Sequence, residues 1–207
     1  MVLMAADFVE LAEKCAPEIG LETLAAVVSL ESGFHPFAIR INSGAPLGEQ
    51  PATKAEAIEA ATALVAAQQD VQLGLGAIGS SELARLRLTL ADAFDPCLNL
   101  KATATLLTGY YRQAIRAGRA SQEADRVMLQ AFFGRGDASV GAIVRYDEQV
   151  RREVERLSGK LTSADATPVE DAVVLPKPAD ERPWNVFASG RSVSVLVFRN
   201  DEEEQHR

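Results

Sequence analysis

The sequence predicts a mainly α-helical domain with one small β-hairpin, followed by a flexible linker and a short β-prone C-terminal tail. Three observations point there. Through residue 157, apolar side chains recur at intervals of three and four in runs that open on capping residues and close on glycine or proline. The one strand-like stretch in that span, Val71 to Gly79, is too glycine-rich for a stable helix and short enough for an irregular hairpin. After Leu157 the composition turns to Ser, Thr, Ala and Pro with scattered charge, which cannot bury enough apolar surface to fold alone. The expected division is a domain over 1–157, a linker over 158–183, and a short apolar segment with an acidic end over 184–207.

Phe8, Leu11, Ala12 and Cys15 make the inner face of a first helix, which Pro17 and Gly20 punctuate. A second helix starts at Leu21, and Leu24, Val27 and Val28 repeat along it at helical spacing. Glu31 follows Val27 by four residues and Val28 by three, so its carboxyl leaves from the apolar face. Gly33 can cap the helix in the left-handed region and Pro36 prevents its resumption, which places Glu31 in the last turn. Burial and the negative end of the helix both favour a carboxyl that keeps its proton. The same pattern is also met by a glutamate that merely snorkels to the surface at a helix end.

Asn42 to Pro51 is a Gly- and Pro-rich loop wide enough to wall a groove, and Thr53 to Glu56 reads as a capping box for an alanine-rich helix over Ala57 to Gln69. After the hairpin, Ser80 or Ser81 caps a short helix to Leu86, and Thr89 or Asp92 marks a further turn. Pro96 opens a long helix to about Ala117, with Leu100, Ala104, Leu107 and Tyr111 inward. Ser121 to Phe133 gives another helix, stopped by Gly134-Arg135-Gly136, and Gly141 to Leu157 the last, with Glu and Arg at helical spacing outside. In the tail, Trp184 to Phe187 and Val193 to Phe198 are apolar and β-prone, as in a docking segment or a small exposed hairpin.

The chain of 207 residues carries a formal charge of −8, which excludes the basic face of a nucleic-acid binder. Its apolar runs fall far short of the ~20 residues needed to cross a bilayer, so no transmembrane segment is expected. The start, Met-Val-Leu-Met-Ala-Ala-Asp, lacks the basic run of a secretory signal. Two cysteines, Cys15 and Cys97, are either paired or buried as free thiols. Gly74-Leu75-Gly76-Ala77-Ile78-Gly79 has the letters of a dinucleotide fingerprint but follows a helix instead of a buried strand, which argues for a tight hairpin. With two histidines, His35 and His206, no cluster has metal-ligand spacing and no serine triad is served, so neither a metal nor a cofactor is expected. Carboxylic acid chemistry, or none, remains.

Taken in order, Glu31-Ser32-Gly33 at a helix end, the Gly-Leu-Gly-x-Ile hairpin and an aromatic-x-x-Gly turn resemble the soluble lytic transglycosylases. Cys15-Ala16-Pro17, Val28 to Ile39 and Ala93 to Leu100 are similar to the VirB-type transglycosylases of type IV secretion systems. The resemblance covers roughly residues 5 to 155. It implies a lysozyme-like helical domain that binds peptidoglycan glycan strands in a groove, with Glu31 catalytic and Ser32, Gln72, Leu75, Ile78 and Phe133 lining the substrate. It also implies a periplasmic protein in which Cys15 and Cys97 pair. Other secretion components would be partners, engaged by Trp184 to Phe198.

Two departures accompany the resemblance. Ala77 and Gly79 stand where the family carries glutamine and asparagine. Phe133-Gly134-Arg135-Gly136 aligns with a Tyr-Asn-x-Gly turn, which removes a hydroxyl expected to orient the glutamate. The rival expectation is accordingly a weakened or inactive peptidoglycan-binding scaffold of the same apparatus.

Overall fold

The computed structural model describes residues 2–42 and 44–161. Their elements are α1 (Ala5–Cys15), α2 (Leu21–Ser32), β1 (Ile39–Ile41), α3 (Lys54–Ala66), β2 (Val71–Leu73) and β3 (Ile78–Gly79). Then follow α4 (Ser80–Leu86), α5 (Leu90–Ala93), α6 (Pro96–Arg116), α7 (Ser121–Phe133), α8 (Ala138–Ile143) and α9 (Tyr146–Leu161). The class is the one the sequence predicts, mainly helical with a small antiparallel sheet, but the sheet has a third strand, β1.

Helix α2 is the spine of the described residues. Leu24, Ala25, Ala26, Val27 and Val28 are all fully buried, the mark of a helix enclosed on every side. Ala26 and Val27 join the core cluster around the sheet and α7, while Leu24, Ala25 and Val28 join a second one with α1 and the first turns of α6. Each buried Leu or Val contributes about 1.5–3 kcal/mol. The sequence suggests a single apolar face because the alanines at 25 and 26 carry little periodic signal. Gly33, at φ 58°, ends the helix in the left-handed region, and its N–H donates to the Ser29 carbonyl.

The sheet runs β1-β2-β3, with Arg40 opposite Gln72 and Gln72 opposite Gly79. Side chains alternate along each strand. Ile39, Val71, Leu73 and Ile78 are buried, and Arg40, Gln72 and Gly79 form the other row. The glycines of the β2–β3 turn are required by close packing. A Cβ on Gly74 would stand 2.2 Å from the Ala93 carbonyl oxygen, and one on Gly76 would stand 2.0 Å from Thr103 Oγ1. Buried Asn99 pins this turn: its Oδ1 accepts from Gly76 N at 2.8 Å, and its Nδ2 donates to the carbonyls of Leu73 and Ala93 at 3.1 and 2.8 Å.

Several boundaries differ from expectation. Thr53 accepts from Glu56 N, but the Glu56 carboxylate takes the N–H of Ala52, so the box is shifted by one residue. Ser80 is the first residue of α4, and Gly79 holds the cap position with its N–H on Glu82 Oε2. The single helix expected over Gly141 to Leu157 is two: Arg145, at φ 55°, breaks the chain between α8 and α9. Helix α9 then runs on to Leu161. The rest of the 158–183 stretch, the Trp184 to Phe198 segment and the acidic end lie outside the described residues.

Cys15 and Cys97 are bonded, which ties the end of α1 to the start of α6. Among the described residues no helix is long and apolar enough to cross a membrane, and no group of His, Cys, Asp and Glu could hold a metal.

Candidate active site

Glu31 ends up buried at its side chain, 5% exposed, because the helix that carries it is enclosed almost to its last turn. Both carboxyl oxygens are held. Tyr146 donates its hydroxyl to Oε1 at 2.6 Å, and Arg40 Nη2 stands 2.9 Å from Oε2 while also donating to the Glu31 backbone carbonyl at 2.7 Å. Arg40 Nη1 reaches Gln72 Oε1 at 3.3 Å, the contact that the cross-strand register provides.

Tyr146 answers one of the sequence-based departures. The hydroxyl missing at Phe133 comes instead from the first residue of α9, whose ring packs 5.0 Å from that of Phe133. The break at Arg145 makes this possible, because it turns α9 so that Tyr146 is buried against the end of α2. The signal was present in the sequence, since Tyr146 continues the inner face of Val150 and Leu157 at helical spacing, but a helix drawn from Gly141 hides it. Burial, with the Glu31 carboxylate beside it, raises the Tyr146 pKa well above its ordinary value, so the hydroxyl keeps its proton.

Arg40 was not among the expected site residues. Ile39-Arg40-Ile41 alternates as a strand should, but three residues are too few to stand out. Its guanidinium pairs with the Glu31 side chain and its backbone carbonyl at once, so β1 and the end of α2 are tied at the site.

Two adjoining clefts meet at Arg40 and Gln72. One, of about 340 Å³, is lined by Glu31, Ser32, His35, Arg40, Gln50 and Gln72 among others; the second, of about 290 Å³, has Phe133, Arg135 and Val140 on its far side. The Asn42 to Pro51 loop does form a wall, since Pro46 and Gln50 line the first cleft and the Gln50 amide brackets Ile39 N and O. Burial lowers the pKa of His35 there.

Ser32, Gln72 and Phe133 therefore fall in the clefts with Glu31. Leu75 and Ile78 do not: both are fully buried, Leu75 against α1 and α6 and Ile78 in the sheet core, so their side chains cannot line a groove. The β-strand alternation that exposes Gln72 is what turns Ile78 inward. Ala77 lines the first cleft, as the hairpin position predicts. Gly79 leaves space bordered by Arg135 and Glu82: a Cβ there would lie 3.1 Å from Arg135 Nη1 and 3.2 Å from Glu82 Oε2. That guanidinium forms two parallel bonds of 2.6 Å to Asp70, so a paired cation borders the position where the asparagine would be.

No protein-family model matches the chain, and no solved structure does. Over 108 residues it is 42% identical to the type IV secretion system protein VirB1 of Brucella abortus (strain 2308) and of Brucella suis biovar 1 (strain 1330). That alignment covers 52% of this chain and 45% of those proteins, so the match spans about half their length. The similarity to protein VirB1 of Agrobacterium fabrum is longer, 30% identity over 191 residues, covering 90% of this chain and 73% of that protein. With a glutamate, a tyrosine and a cleft in one place and relatives of this extent, the chain belongs to the VirB1 family.

Proposed function

We infer that this chain is a peptidoglycan lytic transglycosylase, cleaving the β-1,4 bond between N-acetylmuramic acid and N-acetylglucosamine with closure of a 1,6-anhydro ring on the muramoyl residue. The observation that carries this reading is the isolation of Glu31. Among the described residues lining the two clefts it is the one carboxylate. Two-acid glycosidases need a second carboxylate about 5–10 Å away, as nucleophile or as base for a water. An anhydro-forming reaction needs one group that acts twice. The Glu31 carboxyl donates its proton to the glycosidic oxygen, and the resulting carboxylate takes the proton of the muramoyl C6 hydroxyl as that oxygen closes on C1. The Tyr146 hydroxyl fixes the rotamer of Glu31 through both steps.

Ser32, Gln72 and Phe133 are the contacts proposed for the sugars. In this reading the domain works in the periplasm and opens the wall locally for assembly of a type IV secretion system. The rival, a scaffold with an eroded site, draws on Ala77 and Gly79. It is disfavoured by the presence of Glu31 within its whole Glu-Ser-Gly-Phe-His-Pro setting at a cleft, since a binder has no need of a largely buried acid there. The test is release of soluble muropeptides from isolated sacculi by wild type and by Glu31→Gln, which keeps shape but cannot cycle a proton. Release by the wild type and none by the variant is expected. Equal release removes Glu31 as the catalytic acid, and none from either while both co-sediment with sacculi removes the enzyme.

A further inference from the structure

Arg40 poses a problem for an acid catalyst. Glu31 must present a proton to the substrate, yet Oε1 is taken by a hydroxyl and Oε2 by a guanidinium. The two partners differ. A tyrosine oxygen can donate or accept, so it tolerates either form of the carboxyl; arginine only donates and stays charged. The Oε2 oxygen cannot carry a proton toward the cleft while Arg40 Nη2 is 2.9 Å away.

The surroundings of Arg40 show which way it can go. Its side chain is 40% exposed against 5% for Glu31, and it borders both clefts, with Gln72 as its neighbour on the sheet. Tyr146, by contrast, is buried under Phe133 and has no such freedom. A guanidinium leaves a buried carboxylate readily only when another anion receives it, since neutral sugar hydroxyls offset a lost charge pair poorly.

We propose that Arg40 is a latch on Glu31, opened by a carboxylate that the substrate itself carries. This rests on the transglycosylase reading of the site. In the free protein the latch is shut and Glu31 is held as an acceptor. When a strand enters, a carboxylate beside the scissile bond draws the guanidinium outward along the Gln72 side of the cleft, which frees Oε2 to face the glycosidic oxygen. The muramoyl residue offers such a group in two ways, as the free lactyl carboxylate of peptide-free glycan or as the carboxylates of an attached stem peptide. Arg40 is thus a positioning and specificity residue. It makes activity depend on a carboxylate-bearing sugar, and an uncharged N-acetylglucosamine polymer leaves the latch shut.

The test follows the Arg40 guanidinium by its side-chain 15Nε resonance, assigned by its absence in Arg40→Lys. Three ligands are titrated into the wild type: an N-acetylglucosamine oligomer, peptide-free glycan, and peptide-bearing glycan. A shift with either or both muramoyl ligands and none with the uncharged oligomer is expected, and which of the two acts names the source of the carboxylate. An equal shift with all three, or no shift with any of them at saturation, overturns the latch. The readout does not depend on turnover, so it fails separately from the transglycosylase reading. In kinetics on sacculus-derived strands, Arg40→Ala is expected to raise KM about tenfold without lowering kcat. A fall in kcat at unchanged KM would mean that Arg40 only holds Glu31 in place.

Discussion

Glu31 is flanked by two donors of different character, and they make separable contributions. The Tyr146 hydroxyl, 2.6 Å from Oε1, is buried with it. Removing one partner of a buried pair costs about 1–3 kcal/mol. Tyr146→Phe is therefore expected to lower muropeptide release about 10- to 100-fold while leaving the thermal unfolding midpoint within a few degrees of wild type, as a scan of the two proteins would check. At this scale the sequence is partly legible. Glu31 and its place in the last turn follow from periodicity and from Gly33. Tyr146 and Arg40 do not, because each meets Glu31 only through a tertiary contact. Leu75 and Ile78 mislead for the opposite reason: a hairpin motif tells which residues are near a site but not which way each faces.

Between α8 and α9 a single residue decides whether Tyr146 reaches the site. Arg145 adopts φ 55°, a conformation in which glycine is at ease and a β-branched residue is strained. Arg145→Val is expected to lower both stability and activity, and Arg145→Gly to retain both; circular dichroism melts with a release assay distinguish them. No sequence signal marks this break, since neither glycine nor proline stands at it. The strand row is a second case. Asp70, just before β2, holds the Arg135 guanidinium that borders Gly79, and its pKa is lowered chiefly by the hydrogen bond from Arg135. A carboxylate whose folded pKa is depressed adds stability that is complete above its unfolded value, about pH 4, and is lost as the pH falls through the folded value. Denaturation midpoints measured from pH 7 downward should therefore fall less below pH 4 in Asp70→Asn than in wild type. The bond is partly exposed, so the difference is small.

Across the described residues as a whole, α2 divides two cores, and the Cys15–Cys97 bond closes a loop of 82 residues that holds α1 on α6. In the chain-entropy account a loop of that length is worth about 4.5 kcal/mol, with smaller values common. Reduction, or paired substitution of both cysteines by serine, should lower the denaturant midpoint by an amount equivalent to about 2–4 kcal/mol. The helical class and most helix starts were legible because caps at Asp95 and Thr89 and prolines such as Pro96 act locally. The third strand was not, because three residues acquire strand character only from the partner they pair with. The most direct test of the catalytic account is the mass of the sugar end that the wild-type protein leaves on sacculi. Muropeptides one water lighter than the reducing form, absent with Glu31→Gln, are the predicted result. Products carrying only reducing ends would contradict it, since they would require a water where the described residues of the clefts offer no second carboxylate to activate one.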